Sequence, residues 1–144
     1  MEMIQVKLLT ETATLPTKAH LCDAGWDLYA DYTDTNLEIL PGERKLVSTG
    51  ISMQIPLGYY GRIADRSGNA YRSGVHVLAG VIDHGYCGEI KVLLINLSKE
   101  TFVVNSKDRV AQLVIEAINM SSLLVVDELD ETERGANGFG SSGK

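Results

Sequence analysis

Val75-His76-Val77-Leu78-Ala79-Gly80-Val81-Ile82-Asp83-His84-Gly85-Tyr86-Cys87-Gly88-Glu89-Ile90-Lys91-Val92-Leu93-Leu94-Ile95 sets two apolar runs either side of a glycine-punctuated centre. The runs Val75–Ala79 and Ile90–Ile95 have the β-branched and aliphatic content of strands. Gly80 to Glu89 between them reads as a hairpin with a carboxylate and an aromatic ring near its tip. Gly85 and Gly88 can supply the positive φ values that such a turn needs. Asp83 and Tyr86 stand three residues apart, a spacing at which a turn can aim both into one cleft. A buried carboxylate beside a tyrosine suits water activation next to a flat or ring-shaped ligand. An ordinary turn aspartate with a packed tyrosine would carry the same letters.

Working outward, Glu89 to Leu97 is apolar on both alternating faces, as in a strand buried twice, in a core or between subunits. Towards the N-terminus, Ile4, Val6 and Leu8 alternate with polar residues as a half-buried strand does. Residues 10 to 24 are loop-like. Gly25 to Ala30, Leu37 to Leu40, Leu46 to Ser48, Ile51 to Ile55 and Tyr59 to Ala64 read as strands, with turns at Pro41-Gly42 and Pro56-Leu57-Gly58. Towards the C-terminus, Thr101 to Val104 and Leu123 to Val126 read as strands. Arg109 to Asn119 also fits a helical spacing, but its β-branched content and strand-rich surroundings favour strand. Strands recurring every 8–12 residues or so, with turn residues between, give an all-β fold, a sandwich or barrel.

One short helix interrupts the pattern, over Asn69 to Arg72, with Ser67 as its N-cap and Gly74 closing it. The N-terminus of such a helix next to Arg66 would suit an anion, because its first backbone N–H groups are free. A plain capped turn is the alternative. From Asp127 the chain turns acidic, then glycine-rich through Lys144. Such a tail is either frayed or an arm closing over a ligand, with Phe139 stacking and Arg134 and the serines on phosphates.

The chain has 144 residues and a formal net charge of −6. That length favours a single domain with a real core. The charge argues against binding nucleic acid or an anionic membrane, and no window approaches a membrane span. Cys22 and Cys87 lack metal-ligand spacing, and Met1-Glu2-Met3 does not open a signal peptide. The expectation is an intracellular, cytoplasmic protein with both thiols free.

Five ordered segments resemble the motifs of the trimeric deoxyuridine triphosphatases. They are Ala24–Ala30, Gly61–Gly68, Gly80–Asp83 with Tyr86 and Gly88, Asp108–Leu113, and Arg134-Gly135 with Gly138–Gly143. The resemblance spans residues 24 to 143. It implies a homotrimer of distorted jelly-roll subunits that hydrolyses dUTP to dUMP and pyrophosphate with Mg²⁺. Residues 1–126 would form the jelly-roll domain and 127–144 a C-terminal arm reaching a neighbouring active site. Each site would draw its third motif from one subunit, its first, second and fourth from another, and its arm from the third.

The resemblance also implies residue roles. Asp83 is the general base for the attacking water and contacts the sugar 3′-hydroxyl; Tyr86 lies under the deoxyribose. The backbone around Val77, Gly80, Val81 and Ile82 reads uracil, and Lys91 belongs to the same substrate site. Arg66, Ser67, Gly68 and Gln112 bind phosphates. Asp27 and Gln112 meet Mg²⁺ through water, the ion being held otherwise by the substrate. Phe139 stacks on the base, while Arg134, Gly140, Ser141 and Ser142 close on the phosphates. The chain departs from the family pattern at Asp65, where proline is usual, and at Asn69, His84-Gly85, Cys87, Lys107, Asn137 and Ser142. Asp65 places a carboxylate beside Arg66, where it would repel phosphate or point to solvent. Two other readings stay in view. One is a non-catalytic relative that binds dUTP and signals to a protein partner. The other is a deoxycytidine triphosphate deaminase, whose glutamate-based motif is not found here.

Overall fold

The computed structural model describes residues 3–33 and 36–138. In order, its elements are β1 (Val6–Leu8), β2 (Gly25–Tyr29), β3 (Leu37–Ile39), β4 (Arg44–Val47), β5 (Ile51–Met53), β6 (Tyr59–Ala64), α1 (Ser67–Ser73), β7 (Val75–Leu78), β8 (Val81–Ile82), β9 (Val92–Asn96), β10 (Phe102–Val104) and β11 (Arg109–Ala117). Four antiparallel sheets result, ordered β1-β5, β10-β3, β2-β11-β6-β8 and β4-β9-β7. They wrap one continuous apolar core in which Leu28, Ile39, Val47, Ile55, Val92 and Leu113 are fully covered. The fold is all-β, a jelly roll with one short helix.

β11 is the longest strand and the pivot of the four-stranded sheet, pairing with β2 on one side and β6 on the other. The helical alternative for this segment fails because β-branched residues facing two ladders pack better on a pleated surface. A register shift between Arg109 and Ala111 puts Val110 and Ala111 into the core in succession. That is the usual effect of a bulge on alternation. Gln112 is thereby set opposite Asp27 of β2 and Ala64 of β6.

The opening stretch is more than a hairpin. β7 and β9 pair antiparallel, Val75 with Asn96 through Leu78 with Leu93. The chain between them leaves that sheet, and Val81-Ile82 pairs with Arg62-Gly61 of β6 in another sheet. The crossing is made at Ala79 (φ 60°) and Gly80 (φ 98°); Gly85 has φ 89°, but Gly88 is not at positive φ. Gly80 is required, since a Cβ there would stand 2.7 Å from the Ile63 carbonyl oxygen.

Other expectations need correction. α1 begins at Ser67, so Arg66 holds the N-cap position and no side chain caps the helix. With seven residues it offers little macrodipole. Gly74 does close it, in the left-handed region at φ 63°. Glu89, Ile90 and Lys91 lie outside β9, which buries Val92, Leu94 and Asn96 and leaves Leu93 and Ile95 half-covered. One face is buried in this chain, not two. Leu123 to Val126 forms no strand and is exposed. A run of β-formers declares a strand, but backbone hydrogen bonds need a partner, and no strand of this chain pairs with it among the described residues.

Candidate active site

β8 delivers Asp83 to the start of a turn, closed by the Tyr86 N–H donating to the Asp83 carbonyl at 3.2 Å. The Tyr86 hydroxyl donates to the Glu89 carbonyl at 3.0 Å, which fixes the ring over the turn. Asp83, Tyr86, Val81, Ile82, Leu46, Glu89 and Lys91 line one cleft of about 500 Å³. Asp83 is exposed there, not buried as the sequence suggested. Lys91 Nζ lies 3.4 Å from Glu89 Oε2. Glu89 Oε1 accepts from the backbone N–H groups of Thr49 (3.2 Å) and Gly50 (3.0 Å). This carboxylate therefore ties the β4–β5 turn to the wall carrying Lys91.

A second cleft, about 540 Å³, is lined by Asp23, Gly25, Asp27, Arg66, Ser67, Gly68, Arg72 and Gln112, with Ala19 and Ala24. Asp27 organises it. One of its oxygens accepts from Arg66 Nε at 2.8 Å and the other lies 3.5 Å from an Arg109 guanidinium nitrogen. The Asp27 side chain is only 16% exposed, so this pairing is partly screened from water. The Arg66–Asp27 hydrogen bond fixes one rotamer of the arginine beside Ser67 and Gly68, a pre-organised cation. Gln112 Nε2 donates to the Asp65 carbonyl at 2.8 Å. Gly25 has to be glycine, because a Cβ would overlap the Gln112 side-chain oxygen.

The two clefts share no lining residue. One chain thus carries a carboxylate and a ring in one cleft and the Arg66 and Arg72 guanidinium groups in the other. Of the residues expected to read uracil, Val81 and Ile82 line the first cleft. Val77 does not: its side chain is buried and its N–H donates to Asp65 Oδ1 at 2.6 Å. Gly80 is buried, with its carbonyl accepting from the Ile63 N–H at 2.8 Å. Arg134 is exposed and donates to the Asn137 carbonyl at 3.0 Å, joining neither cleft. Phe139, Gly140, Ser141 and Ser142 lie outside the described residues.

A family model described as dUTPase matches residues 11–143. The chain belongs to the dUTPase family. It is 45% identical over 143 residues to the deoxyuridine 5'-triphosphate nucleotidohydrolase of Saccharomyces cerevisiae, covering 99% of this chain and 95% of that one. The solved dUTPase of Staphylococcus bacteriophage 80alpha with dUpNHpp superposes at a TM-score of 0.89, with 29% identity and complete cover of both chains. A mutant dUTPase from phage phi11 of S. aureus, described with a structural Mg(II) ion, is 28% identical at a TM-score of 0.83. It covers 90% of this chain and 100% of that one.

Against the dUTPase motifs, three neighbours of the site had no role in the sequence reading. Glu89 belongs to the wall of the cleft that holds Asp83 and Tyr86. Arg109 shares Asp27 with Arg66. Arg72 lines the cationic cleft, and a Cβ on Gly68 would stand 2.7 Å from one of its guanidinium nitrogens. Its position four residues after Gly68, on the same face of a helix, was the available signal. Among the described residues no three His, Cys, Asp or Glu side chains gather closely enough to cage a metal. Asp27 and Gln112, which both line the second cleft, carry the oxygen atoms that magnesium prefers, directly or through water.

Proposed function

We propose that this chain hydrolyses dUTP to dUMP and pyrophosphate, a reaction that removes dUTP from the DNA precursor pool and supplies dUMP. The observation that carries the mechanism is the division of the motif residues into two clefts, each equipped for one end of a nucleotide. Asp83 takes a proton from a water whose oxygen bonds to the α-phosphorus. The bond from that phosphorus to the α,β-bridging oxygen breaks, and pyrophosphate leaves. Tyr86 lies against the deoxyribose and leaves no room for a 2′-hydroxyl, while Gly80, Val81 and Ile82 offer backbone groups to uracil. Unpaired polar groups then reject the wrong base. Lys91, held by Glu89, adds a positive charge beside Asp83.

Arg66, Ser67, Gly68 and Gln112 bind the phosphates at the other cleft. Mg²⁺, when bound with substrate, would neutralise triphosphate charge and would meet Asp27 and Gln112 through water. The two clefts have no lining residue in common, and the working site is assembled between copies, in a homotrimer. Half-covered Leu93 and Ile95 and exposed Leu46 on the β4-β9-β7 sheet supply apolar surface for that assembly. Residues 127–144 act as an arm, with Arg134, Gly140, Ser141 and Ser142 on the phosphates and Phe139 on the base. Closure fixes the triphosphate for attack and excludes bulk water. The setting is intracellular, in keeping with two exposed, unbonded cysteines. Among the described residues no helix is long and apolar enough to cross a membrane.

The test is pyrophosphate release from dUTP, with dTTP, dCTP and UTP alongside, with and without Mg²⁺. Release from dUTP alone, lowered about 10²–10⁴-fold in Asp83→Asn with dUTP binding retained, is the expected outcome. A folded protein that binds dUTP without releasing pyrophosphate would refute it.

A further inference from the structure

Asp65 stands where the family usually has proline, one residue before Arg66. Its carboxylate faces neither cleft. Oδ1 accepts from the Val77 N–H and Oδ2 pairs with His76 Nδ1, each at 2.6 Å. Its carbonyl accepts from Gln112 Nε2 at 2.8 Å. Three elements therefore meet at one residue: the end of β6, the edge strand β7 and the middle of β11. Arg66 turns the other way, to Asp27 at 2.8 Å, so the two adjacent charges serve different partners. Repulsion of phosphate and idle exposure to solvent, the two roles that the sequence allows for Asp65, both miss this geometry.

We propose that Asp65 is a positioning residue for phosphate binding. Its carboxylate staples the backbone entering Arg66-Ser67-Gly68 to β7, replacing by hydrogen bonds the restraint that a proline ring imposes. Proline at such a position fixes φ and needs no partner. Aspartate leaves that torsion free, and the free choice has to be removed by contacts. Two charge-assisted hydrogen bonds from an otherwise unpaired strand edge do so. They also consume the carboxylate's charge away from the triphosphate. The same staple holds the Asp65 carbonyl where Gln112 uses it, so one anchor sets both an arginine and an amide of the cationic cleft.

The inference rests on the dUTP reading for what the cleft binds, and its test separates the two. In the full-length protein, the affinity for dUpNHpp and the kcat and KM for dUTP are measured for wild type, Asp65→Ala, Asp65→Asn and Asp65→Pro. Amide exchange at Val77 is followed in each. Asp65→Ala is expected to weaken dUpNHpp binding and raise KM about tenfold, with kcat little changed because Asp65 does not touch the reacting atoms. Asp65→Asn keeps an acceptor for Val77 and falls between. Asp65→Pro restores binding although it loses the Val77 bond. Binding in Asp65→Ala equal to or tighter than wild type would overturn the proposal, as would Asp65→Pro as weak as Asp65→Ala. Unchanged Val77 exchange in Asp65→Ala would overturn the staple itself. A wild type that neither binds dUpNHpp nor hydrolyses dUTP would instead sink the functional reading, leaving Val77 exchange to decide the staple.

Discussion

Gly25 shows how one absent side chain shapes a site. It pairs on β2 with Val114 of β11, two residues from Gln112, and a Cβ would occupy the space of the glutamine's side-chain oxygen and stand 3.1 Å from its Cβ. Gln112 cannot yield without giving up its bond to the Asp65 carbonyl. Gly25→Ala is therefore expected to raise the KM for dUTP more than it lowers kcat. Overpacking of this kind should also cost about 1–3 kcal/mol of stability. Steady-state kinetics with urea unfolding would check both, and an unchanged KM would show that Gln112 does not hold phosphate. Asp83 is a contrasting residue: nothing packs it into place except the turn to Tyr86, so its chemistry depends on what covers the cleft.

Between elements, the β6–β11 ladder carries an outward network that the site does not use. Glu116 accepts from Arg62 Nε at 2.7 Å and from the Tyr60 hydroxyl at 2.6 Å, across the register that sets Glu116 opposite Tyr60. The Arg62 hydrogen bond, then that of Tyr60, holds the Glu116 carboxyl below the usual carboxylate range. A lowered folded value means that the contribution is fully present above the ordinary glutamate pKa. It is lost as pH falls through the lowered value. Glu116→Gln should accordingly be less stable than wild type near neutrality, with the difference closing at strongly acid pH. The network is solvent-exposed, so the effect is small. Unfolding midpoints measured down the acid limb would show it; a gap that stayed constant with pH would assign the loss to packing instead.

For the whole molecule, the separation of the two clefts has a consequence that a single chain cannot show. If the site is completed between copies, a chain lacking Asp83 and a chain lacking Arg66 can repair each other. Unfolding and refolding Asp83→Asn and Arg66→Ala together should recover pyrophosphate release that neither variant has alone. Mixing them without subunit exchange should recover none. Recovery that never exceeds the sum of the two variants would place both residues in one chain's site. The exposed apolar run Leu123 to Val126 fits the same picture, since backbone and side chains with no partner in their own chain favour association.

Much of this was legible in the letters. Tyr59 to Ala64 after the Pro56-Leu57-Gly58 turn, and the β-branched content from Arg109, pointed to two central strands, the second against a helical alternative, because turn chemistry and packing preference are local. Gly74 announced the end of the helix, since only its φ of 63° closes that turn cheaply. The order of the five motifs named the family, and with it came the proposal of Asp83 as base and Arg66 among the phosphate groups. What the letters left open depends on contacts between residues distant in sequence. Whether Gly80 to Ile82 stayed in a hairpin or crossed to β6 turned on the pairing of Val81 with Arg62. Whether Leu123 to Val126 became a strand turned on a partner. The direction in which Asp65 faces was undetermined until β7 presented the free N–H of Val77 to it. A carboxylate takes the strongest donors within reach, and only the tertiary fold decides which donors those are.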